Sequence, residues 1–232
     1  MKHWKTIALL GVLGMIVLVG ASGCRHSSAA SFTPTTTPGP TRTPRPTPTP
    51  TPPPQPISAS GSGDAVINLT WPHGPALAVI TGNRGGDHFA VKSLDADNQV
   101  IDLLVNTTDS YRGVVPINFT DEEARRFEVT AEGSWTIEVR PLAMAEVLQV
   151  PDKFQGTGDQ VLILTGQTPD VAHITGNSGG DHFAVHGWIP GDFTDLLVNV
   201  VEPYEGTVLL NPDTFILEVT AVGAWVIEVA AR

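Results

Sequence analysis

From Gly63 onward the chain is a tandem repeat, so whatever architecture the first copy adopts the second must be able to adopt as well. Gly63-Asp64 returns as Gly158-Asp159. The run from Ile80 to Val91, with Asn83, Gly85, Gly86, Asp87 and His88, returns from Ile174 to Val185 with Asn177, Gly179, Gly180, Asp181 and His182. Asp102-Leu103-Leu104-Val105-Asn106 returns as Asp195-Leu196-Leu197-Val198-Asn199, each followed by a Tyr-x-Gly that begins at Tyr111 or Tyr204. Glu128-Val129-Thr130-Ala131 with Trp135 returns as Glu218-Val219-Thr220-Ala221 with Trp225. The spacing between matching motifs shortens slightly along the chain, which places the length changes in loops. Each copy is about 75–80 residues, enough for a small core of its own.

Within each copy the apolar residues recur with period two, in short runs separated by Gly, Asn, Asp and Pro. Trp135, Ile137 and Val139 share one face against Thr136 and Glu138, and Trp225, Ile227 and Val229 repeat the pattern. This predicts about seven strands per copy, near 64–70, 76–81, 88–94, 99–106, 113–119, 125–131 and 134–140. No stretch carries a helical period. The expected fold is all-β: two tandem antiparallel β-sandwiches, immunoglobulin-like or jelly-roll-like, over 63–146 and 152–232. In length and in their closing hydrophobic strand the copies look similar to the small sandwich modules of secreted bacterial enzymes, such as the pre-peptidase C-terminal type.

The N-terminus is built differently. Lys2 and Lys5 precede an apolar run from Ile7 to Val19, the layout of an export signal and too short to favour a permanent span. It closes on Ala21-Ser22-Gly23-Cys24, which resembles the lipobox of bacterial lipoproteins; the resemblance implies removal of residues 1–23 and lipidation of Cys24. Cys24 is the only cysteine in 232 residues, as suits an exported chain that keeps a thiol only where it is modified. Two or three acyl chains anchor stably, at about 0.8 kcal/mol per buried CH₂. Residues 24–62 then form a stalk dominated by Thr-Pro repeats, which favours extended polyproline II. The expected location is the extracytoplasmic side of a cell membrane, with membrane lipid as a partner through Cys24.

All 24 acidic residues lie at or after Asp64, whereas Lys2, Lys5, Arg25, Arg42 and Arg45 take 5 of the 13 basic ones, so the repeats carry 8 basic residues and a net charge of −16. Nucleic acid is therefore excluded as a partner. A cell-wall or host glycan, or a protein, remains as the ligand class.

Candidate sites are few. In Gly-Gly-Asp-His-Phe a carboxylate and an imidazole stand side by side, but neighbouring strand residues point to opposite faces, so a turn with His88 and His182 opening the next strand is the simpler reading. Asp95-Ala96-Asp97-Asn98 has no acidic counterpart in the second copy and lacks the remaining calcium-loop ligands, so it reads as a hairpin turn. No metal or cofactor is expected, and no cysteine nucleophile occurs in the repeats. Differences between the copies are more informative: Trp71, and Trp188 with nearby His186, lack counterparts and lie beside Gly and Pro, where an indole could stack on a ligand. The candidate binding residues are thus Trp188, His186, Trp71, His88 and His182. The function expected is a surface-anchored, non-catalytic binding or adhesion module. An architectural envelope protein without a ligand and an extracytoplasmic enzyme of unfamiliar type are the alternatives.

Because anchoring is assigned to one thiol, Cys24→Ser should release the chain from the membrane or leave its signal uncleaved; recovery of lipidated, processed protein from that variant would refute the assignment.

Overall fold

A computed structural model describes residues 54–71, 74–190 and 193–232. Cys24 and the signal lie outside the described residues, as does the stalk up to residue 53. The first copy contains β1 (Ile57–Ser62), β2 (Ala65–Asn68), β3 (Ala76–Gly82), β4 (Phe89–Leu94), β5 (Val100–Thr107), β6 (Tyr111–Ile117), β7 (Arg126–Thr130) and β8 (Ser134–Pro141). A single 3-10 turn, Leu142–Met144, leads to the connecting strand β9 (Glu146–Val150). The second copy repeats the set as β10 (Asp152–Thr157), β11 (Gln160–Gly166), β12 (Pro169–Gly176), β13 (Phe183–Ile189), β14 (Phe193–Val200), β15 (Tyr204–Leu209), β16 (Ile216–Ala221) and β17 (Ala224–Ala231).

Strand order identifies the architecture. In the first copy β1-β8-β3-β6 face β2-β7-β4-β5, and in the second β10-β17-β12-β15 face β14-β13-β16-β11, with β9 added at the end of the latter sheet. Both are jelly rolls of eight antiparallel strands. Among the described residues, only β9 runs parallel to its neighbour, β11. Seven strands of each copy match the periodicity in the sequence; the eighth, β1, falls in the segment that composition assigns to the stalk. Its Ser58, Ser60 and Ser62 are exposed and polar, whereas Ile57, Ala59 and Gly61 turn inward against β8.

The repeated motifs are mostly joints of this scaffold. At the Gly-Asp corners, Gly63 and Gly158 take φ values of 74° and 69°, which suit glycine. The corner glycine carbonyls accept the indole N–H of Trp135 and Trp225, each at 2.9 Å. Asp64 and Asp159 accept the backbone N–H of Ala131 and Ala221 at 3.0 and 2.8 Å. One dipeptide thereby ties the first two strands of a copy to its last two. In the Asn-x-Gly-Gly turns, Asn83 and Asn177 are buried at positive φ, and their amides donate to the Asp87 and Asp181 carbonyls and, at 2.9 Å, to those of Asp109 and Glu202. The asparagine, rather than the aspartate, makes the turn's side-chain bonds.

Each copy has its own core. Phe89, Phe127, Ile80, Ile137 and Trp135 centre the first, and Phe183, Leu217, Ile174, Ile227 and Trp225 the second. Gly61 and Gly156 lie under the tryptophans: a Cβ there would stand 2.4 and 2.3 Å from the indole ring. With the indoles 4% and 2% exposed, Trp135→Ala or Trp225→Ala should each cost about 3–5 kcal/mol, to be read from chemical denaturation. A loss below about 1 kcal/mol would show that the corner does not depend on the indole.

Candidate functional site

The two jelly rolls form one compact unit because the outer face of β11-β16-β13 in the second packs on the first. Leu77, Val114, Phe119, Leu142 and Ala145 meet Val161, Ile163, Trp188, Phe215 and Ile216, and Leu77, Val161 and Ile216 are buried to 1% or less. Phe119 and Trp188 tilt against each other with ring centres 5.1 Å apart. The N–H of Val114 donates to the Asp159 carbonyl at 2.9 Å, which stitches β6 to the start of the second copy.

The copies serve as controls for one another. At the positions of Ile163, Phe215 and Ile216 the first copy has Asn68, Arg125 and Arg126, and the counterpart of buried Val161 is Val66, 65% exposed. At three of these four outward positions the covered second copy is apolar and the first copy polar; Val66 keeps its apolar side chain. The contact is therefore written into the sequence, at outward strand positions.

Polar groups are folded into the same seam. The Tyr111 hydroxyl donates to Asp159 at 2.6 Å, while the other Asp159 oxygen keeps the Ala221 N–H. Burial raises the pKa of Asp159, opposed by these hydrogen bonds and by His182. Burial and the facing Asp159 also raise that of Tyr111, which stays protonated. Glu218 accepts the Trp188 indole N–H at 2.8 Å. Burial, with weaker contributions from Asp102 and Asp159, pushes its carboxyl up to about 7. The first-copy equivalent, Glu128, instead pairs with Lys92 at 2.8 Å in a half-exposed ion pair. His186 replaces that lysine across from Glu218, and burial followed by the field of His182 holds its pKa low.

Two openings flank these groups. A cavity of about 160 Å³ reaches Ser93, Asp102, Phe119, Trp188 and Glu218. A wider groove of about 470 Å³ is lined by Leu103, Asn106, Tyr111, Arg112, His182 and Val222, among others, with Asp159 at its base. Leu103 and Val222 are 47% and 58% exposed.

The candidates from sequence divide accordingly. Trp188, His186 and His182 come together at the seam. Trp188 is half-buried, its N–H taken by Glu218 and its ring set against Phe119, rather than presented from a free loop. Trp71 is 5% exposed and belongs to the first core; Pro72 and His73 beside it lie outside the described residues. His88 is exposed and meets Asn106, a residue of the groove, at 3.1 Å, as His182 meets Asn199. Sequence reasoning missed Tyr111, Phe119, Asp159 and Glu218. The signal available for them was the run of apolar residues at outward positions, Val161, Ile163 and Ile216. No group of three or more potential metal ligands occurs among the described residues.

No protein-family model matches the chain, and no curated protein sequence matches it. Among solved structures it is similar to the F-lectin (fucolectin) from serum of the striped bass, Morone saxatilis, at 7% identity over 75% of this chain and 86% of the lectin, with a TM-score of 0.20.

Protonated Glu218 suits a seam that also holds Asp102 and Asp159. Its folded-state pKa is raised, so the stabilisation is present below pH 4.5 and is lost as the pH climbs through about 7. Across that window wild type should lose on the order of 2–3 kcal/mol that Glu218→Gln retains, since the amide oxygen still accepts the indole N–H. Parallel pH profiles of the two proteins in denaturation experiments would refute the burial of this carboxyl.

Proposed function

We propose that this chain is a lipid-anchored, non-catalytic surface lipoprotein whose docked jelly rolls form a binding or adhesion module, with the groove between the copies as its recognition site. The observation that carries the reading is the groove itself, a concave surface that neither copy forms alone. It combines exposed aliphatic side chains, Leu103 and Val222, with convergent polar groups from Asn106, Arg112 and His182. Such a mixture on rigid walls is characteristic of ligand sites. The anchor expected at Cys24 and the Pro-rich segment between it and β1 support the same reading, because they would set the module outside the membrane at a distance. A net charge of −16 on the repeats disfavours polyanions, so an uncharged glycan of a cell wall or host surface fits best.

The test is a panel of neutral cell-wall and host glycans applied to the 54–232 fragment. Saturable capture is expected, weakened about fivefold or more by Leu103→Ala combined with His182→Ala at an unchanged melting temperature. Capture that both substitutions leave intact would move the site elsewhere; absence of capture across the panel would remove the glycan reading.

A further inference from the structure

The connecting strand β9 does more than join the copies. It lies parallel to β11 at the edge of the second jelly roll, with Leu148 beside Leu164 and Val150 beside Gly166, and it drives Leu148 and Val150 into the core at 2% and 1% exposure. It thereby closes the open side of that sandwich, between β10 and β11.

The first jelly roll has the same open side, and among the described residues no strand lies beside β2 to close it. The Gly63-Asp64 and Gly158-Asp159 corners set Pro56 against Pro151 and the run Thr51-Pro52-Pro53-Pro54-Gln55 against Glu146-Val147-Leu148-Gln149-Val150. Pro52, Pro53 and Pro54 have no backbone N–H to donate to a ladder such as the one β9 forms. Pro54 and Pro56 are exposed and outside any strand. Two consequences are visible. β2 stops at Asn68 after four residues, whereas β11 continues for seven beside its partner. Between β1 and β2 a cleft of about 160 Å³ stays open, walled by Ile57, Ala59, Ile67, Phe127, Ile137 and Val139.

We propose that this edge is a strand-acceptor site: an extended segment of a partner protein, with apolar side chains at alternate positions and unblocked N–H groups, adds parallel to β2 and fills the cleft as Glu146–Val150 does in the second copy. Main-chain bonds to a sheet edge supply affinity, and the pocket for alternate side chains supplies selectivity. The site is separate from the groove between the copies and does not depend on the ligand proposed there.

A fluorescent peptide containing Glu-Val-Leu-Gln-Val, titrated into the intact chain, serves as the probe. Saturable binding is expected, about tenfold or more weaker when the peptide's Leu is replaced by Asp. Grafting the β9 sequence into the leader, as Thr51→Glu, Pro52→Val, Pro53→Leu, Pro54→Gln and Gln55→Val, should abolish binding and raise the melting temperature. Ala59→Leu, which fills the cleft from its wall, should abolish binding even if the graft misfolds. No saturable binding to wild type, or equal binding to wild type and the Ala59 variant, would overturn the proposal. Concentration-dependent dimers that the graft abolishes would assign the edge to β9 of a second copy, and would overturn a separate partner.

Discussion

The seam between the two jelly rolls depends on Asp159, which faces in two directions. One oxygen holds the Ala221 N–H, as Asp64 does for Ala131 in the first copy, and so completes the corner on which the second fold turns. The other oxygen takes the Tyr111 hydroxyl from the first copy, and the Asp159 carbonyl takes the Val114 N–H. A scaffold carboxylate is thus also the point at which the copies are held in register. Burying it is costly unless its lone pairs are filled, and here the hydroxyl and the amide fill them. The apolar contacts around Leu77, Val161 and Ile216 exclude water, and Tyr111 and Asp159 determine how that apolar face is oriented.

The same exclusion of water changes the character of residues that are ordinary in the other copy. Glu128 and Glu218 are equivalent, and on the first copy the glutamate is half in solvent beside Lys92. On the second it is covered, its cationic neighbour is exchanged for His186, and its carboxyl is pushed up to about 7. The difference lies in the surroundings, since the residue is the same. A tandem repeat can therefore acquire a pH-responsive group without a new acidic residue, by covering an old one and removing its counter-ion.

This explains how far the sequence could be read. The two-residue period, the turns and the repeated Trp135 and Trp225 were sufficient for two antiparallel sandwiches and for seven strands in each, because a half-buried strand imprints alternation on its sequence. β1 was not visible as a strand, since three serines facing solvent and a glycine beneath an indole resemble linker composition. Strand order was also hidden: period reports which face is buried and not which strand lies beside it. For the site, reasoning from differences between the copies singled out Trp188, His186 and His182, which the seam brings together. Attention to differences between the copies passes over Asp159 and Glu218, because both are shared and are recruited by contacts made from the other copy. Trp71 was also unmatched, yet its indole completes the first core; lack of a counterpart identifies divergence and does not distinguish recognition from packing.

The geometry of the seam raises a question about assembly. The first copy offers the outer face of β3 and β6, the second the outer face of β11, β16 and β13, so the contact is head-to-tail and each copy retains the face that the other has used. Contacts of this kind propagate into filaments unless something stops them. The free faces carry the stop. On the first copy Asn68, Arg125 and Arg126 replace the apolar Ile163, Phe215 and Ile216, and on the second Thr207 and Pro212 stand where Val114 and Phe119 would be needed. Terminal faces made polar are how repeat arrays end in solution. Two copies docked once is the arrangement this substitution pattern favours, with Val66 and Leu209 the apolar side chains left on the free faces.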